Sequence, residues 1–346
     1  MRESRCRCPF SWEGGEMRSS MRNAMASLAL IPLVTLSCER RALSVMKTSM
    51  QIDLDNDYCL PFEPASSLPQ HYKLDVYEPL GGGLVYDDFV PEQGGGVKSM
   101  HGDYCCLLLN FDTENMLVTG DDNMSTFHVT FPPADEYYSQ LYSACRSKLA
   151  ELTPEGGLSV SLQRELSTPQ PEVLSIGECL WTWKGDLSIP PLAEEDTVFV
   201  VKAGVKPSMK QGRVTLNGIK GSEYIDCIDC YVTNLSAGIN PLTGALDGQA
   251  VTQTFTLSCD ATTAQGTFLC FGLAGSQDRL LYVLVTDTGG GRHLYVFDLK
   301  ELKPDTEMDY TIDTGIDIPK PEVQGGSGGF RPSVGEWNVE YVIVEI

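Results

Sequence analysis

Apolar and polar residues alternate with a period of two along most of the chain, a pattern that predicts strands. His71 to Tyr77 places Tyr72, Leu74 and Val76 on one face, and Phe127, Val129 and Phe131 alternate with Thr126, His128 and Thr130. Cys105 to Phe111 (CCLLLNF) is an unbroken apolar run, short enough for a strand buried on both faces. The triplets Gly81–Gly83 and Gly94–Gly96 mark turns between such runs. Further strands are predicted over 197–205, 212–219, 224–233, 252–259 and 267–272. A hairpin follows, LLYVLVT and HLYVFDL joined through Asp287-Thr-Gly-Gly-Gly291. The closing stretch 336–346 (EWNVEYVIVEI) lines Trp337, Val339, Tyr341 and Ile343 along one face. Such a strand left open is an aggregation hazard, so a neighbour in its own sheet or in another chain's is expected to cover it. Those four residues are therefore candidates for an inter-subunit strand.

Only one segment has helical spacing. Between Pro133 and Leu152, Tyr138, Leu141, Tyr142, Cys145 and Leu149 recur on one side, Asp135 can cap the start, and Thr153-Pro154 ends it. Regular short strands with turn residues between them argue for an all-β chain of sandwiches with one short helix in the first domain. Length allows two domains. The pattern break at Ile189-Pro190-Pro191 places their boundary near 190, giving 38–190 and 191–346.

Ahead of the strands, Leu28 to Arg41 reads LALIPLVTLSCERR, an apolar run that ends at Cys38 and turns polar at once. The run is shorter than the roughly 20 residues of a membrane-spanning helix, and has the layout of a lipoprotein signal, cut between Ser37 and Cys38 with the lipid on the Cys38 thiol. An ordinary signal peptide with a chance cysteine is the alternative. Residues 1–37 are read as leader. Residues 1–20 are unlike the front of a signal peptide, whereas Met17, Met21 or Met25 would start a conventional one.

The formal net charge of -22, from 25 Lys plus Arg against 47 Asp plus Glu, argues against nucleic acid as a partner, because phosphate backbones repel such a surface. The 12 cysteines are scattered singly, unlike a dense disulfide framework. Cys227-Ile-Asp-Cys230 spells a redox motif but falls in a predicted strand, where its members point apart. Packed thiols or a long-range disulfide are the readings for it. His71, His101, His128 and His293 have no metal-ligand spacing, and Asp53 to Asp57 lacks the Gly and closing Glu of a calcium loop. No catalytic, metal or cofactor site is predicted. Trp181 and Trp183, at i and i+2 on a strand, share a face that could stack on a sugar ring. Core packing is the competing use of the pair.

These features together resemble the Bacteroidetes fimbrillin-type lipoproteins, in a branch close to the fimbrial anchor subunits. The resemblance spans residues 33–346 and rests on several short pieces: Cys38-Glu-Arg-Arg; Gly102-Asp-Tyr104 with Leu108, Asn110, Phe111 and Asp112-Thr-Glu114; and Asn217-Gly-Ile-Lys-Gly221. Gly266-Thr-Phe268, Phe271-Gly272, Leu280 to Thr286, Phe297-Asp298-Leu299 and the Trp337 strand complete it. It implies tandem transthyretin-like Greek-key sandwiches, lipidated at Cys38 and carried to the outer membrane, that join other fimbrillin-like subunits by lending a strand. It also implies an anchor or accessory role in adhesion, because Arg40 and Arg41 beside the lipid site are the only arginines between Cys38 and Arg146, and an Arg-directed protease cutting there would remove no strand. A surface lipoprotein that binds a glycan or host receptor is the alternative expectation.

Overall fold

A computed structural model describes residues 47–55, 69–111, 116–152, 163, 166–168, 170–174, 178–191, 198–275, 279–299, 308–321 and 337–341. Ser37, Cys38 and Ile343 lie outside the described residues.

The first half is built from two sheets. In one, β1 (Lys47–Asp55) is the central strand, paired in parallel with β10 (Val198–Gly204) and antiparallel with β4 (Gly95–Met100). The other runs β11 (Lys206–Pro207), β9 (Trp181–Ile189), β5 (Gly102–Asn110), β2 (His71–Tyr77) and β3 (Leu84–Pro91), antiparallel throughout. Met50, Ile52, Val97, Val201 and Ala203 of the first sheet share a buried cluster with Tyr72, Leu74, Val76, Cys106 and Leu108 of the second. The last six residues of β5 are all buried, as their unbroken apolar run predicts. Residues 198–207, beyond the expected boundary near 190, thus pair with the first half.

The second half is a long bent sheet. Its order is β19 (Asp309–Asp313), β12 (Lys210–Asn217), β16 (Thr263–Cys270), β15 (Ala250–Asp260), β13 (Ile225–Ser236), β17 (Leu280–Asp287), β18 (Arg292–Asp298) and β20 (Trp337–Tyr341), with β8 (Glu172–Leu174) on β15. β15 makes the corner: Val251 to Leu257 pair with β13, and Ser258 to Asp260 with β16. Folding the sheet on itself buries Val214, Leu216, Phe268, Tyr310 and Ile312 with Ile228, Cys230, Val283, Val285 and Phe297, in the same continuous cluster as the first half.

The helix α1 (Glu136–Leu152) begins where Asp135 accepts the Tyr138 amide at 3.1 Å, satisfying one donor that the first helical turn leaves open. Although it lies before residue 190, its apolar side (Leu141, Tyr142, Cys145, Leu149) packs on the outer face of the second half, against Tyr231, Tyr282, Leu284, Leu294 and Val296. Connecting segment 117–131 supplies two strands of a fourth, small sheet, in which β6 (Leu117–Thr119) pairs with β7 (His128–Thr130) and β7 with β14 (Gly238–Ile239). The strand expected from the alternation of Phe127, Val129 and Phe131 shrinks to the three residues of β7, though all three of those side chains are buried as the alternation requires.

Candidate functional site

Strand edges are the candidate working surfaces. β1 lies between two edge strands, so its backbone donors and acceptors serve β4 on one side and β10 on the other. Taking β1 away would strip both neighbours of their ladder and open an apolar slot where Met50 and Ile52 now sit. The turn feeding β4 is tight. Gly94 has φ +80°, and a Cβ there would collide with the Ile52 carbonyl. On the outer side of β10, Val198 and Val200 are exposed alongside Lys202.

Trp337, Val339 and Tyr341 lie on β20, which runs parallel to β18 of the same chain with Arg292 opposite Trp337 and Val296 opposite Tyr341. The expected closing strand therefore has a neighbour in its own sheet, and it sits at that sheet's end.

The tryptophan pair does not form an open platform. Trp181 is 2% exposed and belongs to the core, its backbone amide donating to Asn110 Oδ1 at 2.7 Å. Asn110 in turn donates to the Cys179 carbonyl, so both ends of its buried amide are used. Trp183 is half-buried, its indole lying across Gly185, where a Cβ would meet the ring. Sharing one face of a strand does not expose that face; here it turns inward.

Cys227 and Cys230 sit on β13, as the alternation predicts, and both are free thiols. Burial pushes both thiols up, Cys230 well above the usual thiol range, so the reactive thiolate is suppressed. Cys106, Cys145, Cys179 and Cys270 are likewise buried and pushed up to about 12 by desolvation. Of the four histidines, His293 alone makes an ion pair among the described residues, with Asp287 at 3.0 Å. Burial opposes charge on Asp287, but hydrogen bonds from His293 and from the Gly291 and Gly289 amides outweigh it and lower its pKa. This arrangement closes the β17–β18 turn. Among the described residues no group of three or more His, Cys, Asp or Glu is placed to hold a metal, and no helix is long and apolar enough to cross a membrane.

One polar cluster is assembled from residues that the sequence pattern does not bring together. On the face of β2 opposite Leu74, the Lys73 amine lies 2.8 Å from Asp121 Oδ2, 3.0 Å from Asp75 Oδ1 and 3.8 Å from Asp87 Oδ2. Asp75 is 0% exposed, and burial raises its pKa to about 6 against the opposing pull of Lys73. Lys73-x-Asp75 on a strand was the available signal, but Asp121 arrives from a distant segment.

Comparison with solved structures places this architecture. A candidate adhesin of Bacteroides ovatus superposes with a TM-score of 0.52 at 16% identity, over 80% of this chain and 94% of that one. The chain shares its fold with that adhesin. Weaker likenesses include the fimbrial anchor protein Mfa2 of Porphyromonas gingivalis, with a TM-score of 0.42 at 8% identity over 68% of this chain and 77% of that one. Another is a candidate polysaccharide-binding protein of Bacteroides thetaiotaomicron, with a TM-score of 0.44 at 10% identity over 86% and 90%. No family model and no curated protein matches the sequence.

Proposed function

We propose that the protein is a lipid-anchored subunit of the outer cell surface, an anchor or accessory component of a fimbria that contributes to adhesion. The observation that carries this reading is the placement of β1. It is the central strand of its sheet, it begins at Lys47, and the lipid-attachment cysteine expected at Cys38 lies shortly before it. The resemblance of Cys38-Glu-Arg-Arg and the later motifs to fimbrial anchor subunits, and the fold shared with a Bacteroides adhesin, support the same reading. Partners are then other fimbrillin-like subunits, engaged by strand addition at a strand that ends its sheet among the described residues, such as β10 or β20, where main-chain hydrogen bonds supply affinity and alternating side chains supply register. The burial of Trp181 weighs against the glycan-stacking alternative.

A photo-crosslinking residue at Glu340 of β20, and another at Lys202 of β10, tests this on intact cells of the native host. A crosslink from either position to another fimbrillin-like chain, in outer-membrane fractions, is the expected result. A monomer at both positions would overturn the reading.

A further inference from the structure

Segment 117–131 is held at both ends. Toward the first half, the Leu84 amide donates to the Asp122 carbonyl at 2.8 Å, the Met124 amide to Gly82 at 2.8 Å, and the Tyr77 hydroxyl to the Asp121 carbonyl at 2.9 Å. Toward the second half, β7 pairs with β14, and Asn240 donates its side-chain amide to the Met124 carbonyl at 2.8 Å. These bonds fix the backbone of Asp121 over the polar face of β2. Its carboxylate is brought against the Lys73 amine, and Asp75 lies on that amine's other side.

That is the constellation an amide condensation needs: an amine, a carboxyl carbon within reach, and a second acid able to take a proton from one and return it to the other. We propose that Lys73 and Asp121 join in an intramolecular amide bond, with Asp75 as the proton carrier. The Lys73 ammonium passes one proton to the Asp75 carboxylate, and the freed nitrogen pair forms a bond to Asp121 Cγ. As the carbon–oxygen bond breaks, the departing oxygen takes the proton held by Asp75 and a second from the nitrogen, leaving as water. Asp75 returns to its carboxylate form, and no oxidant or other reactant is consumed.

Three features favour the step. Asp75 is fully buried and, apart from the ion pair with Lys73, neither of its oxygens has a hydrogen-bond partner among the described residues, so its neutral form is favoured. Lys73 is itself buried, which weakens its hold on the proton, although Asp121 and Asp75 pull the other way and hold it largely as the ammonium at rest. The Asp121 side chain, 43% exposed, leaves a way out for water. The bond would tie β2 covalently to the segment that spans both halves, in a chain whose described cysteines are all free.

The test is the intact mass of the folded full chain, measured denatured and reduced, with a tryptic map. The expected wild-type mass is lighter than the sequence mass by one water. Trypsin would fail to cut after an acylated Lys73, so residues 48–98, bounded by Lys47 and Lys98, would emerge joined to residues 99–146, which end at Arg146. Lys73→Arg and Asp121→Ala would have their full sequence masses, and Asp75→Ala would keep the two partners unjoined. Wild-type protein at full mass with ordinary cleavage after Lys73 would overturn the proposal, as would a water loss that persists in Asp121→Ala. If a variant fails to fold, the wild-type map decides alone.

Discussion

Replacing Trp181 by Ala separates the two uses open to the tryptophan pair. Trp181 is 2% exposed and lies in the cluster that joins the two sheets of the first half. A tryptophan buries about 150–250 Å², and at about 25 cal/mol per Å² that is roughly 4–6 kcal/mol of transfer free energy. Partial collapse of the site and a compact unfolded state bring the measured cost of such truncations to about 3–5 kcal/mol. The Trp181 amide bond to Asn110 uses backbone and survives the change. Trp183→Ala, at a half-buried position over Gly185, should cost roughly half as much, because less area returns to water. Urea denaturation followed by circular dichroism reads both. With a slope of about 3 kcal/mol per M at most, the Trp181 variant should lose on the order of 1 M or more in its midpoint. A Trp181→Ala protein that keeps its midpoint but loses retardation in glycan affinity electrophoresis would refute the core assignment and restore the stacking surface.

Other measurements probe separate parts of the molecule. Burial raises Asp75 to about 6, so between the ordinary carboxylate range and that value the folded chain holds a proton that the unfolded chain has released. Stability should therefore be greatest in acid and fall as pH rises through about 6, by up to about 3 kcal/mol, and Asp75→Asn should flatten that dependence in urea titrations at several pH values. Gly94→Ala forces a side chain into φ +80° against the Ile52 carbonyl, and should lower stability by about 1–3 kcal/mol in the same assay, with faster proteolysis of β1. Cys230 should resist a small alkylating reagent in the folded protein and react once urea unfolds it; labelling of the native protein would show that the β13 thiols are accessible. Metabolic labelling with palmitate in the native host should mark the wild-type chain and not Cys38→Ala, which should leave the membrane fraction. Equal labelling would remove the anchor at that position.

The sequence by itself determined the class of fold, because strand and helix periods follow from backbone geometry alone. The β17–β18 hairpin, the buried run of β5 and the helix capped by Asp135 were all legible from that spacing. So was the placement of Cys227 and Cys230 on one strand, β13, whose alternation turns the two thiols to opposite faces. Alternation says which residues share a face, though, and not what covers it. Trp181 and Trp183 share theirs as read, and only the neighbouring sheet decides that it is closed. The parallel pairings of β1 with β10, and of β20 with β18, join stretches far apart in the chain, which no local pattern records. Helix α1 shows the same division, its apolar stripe plain in the sequence and its partner, the outer face of β13, β17 and β18, supplied by a later half of the chain. Lys73, Asp75 and Asp121 are ordinary surface residue types when read in line. Only the tertiary path of segment 117–131 brings them together, because burial and the approach of charged groups are set by chain crossings rather than by the residues themselves.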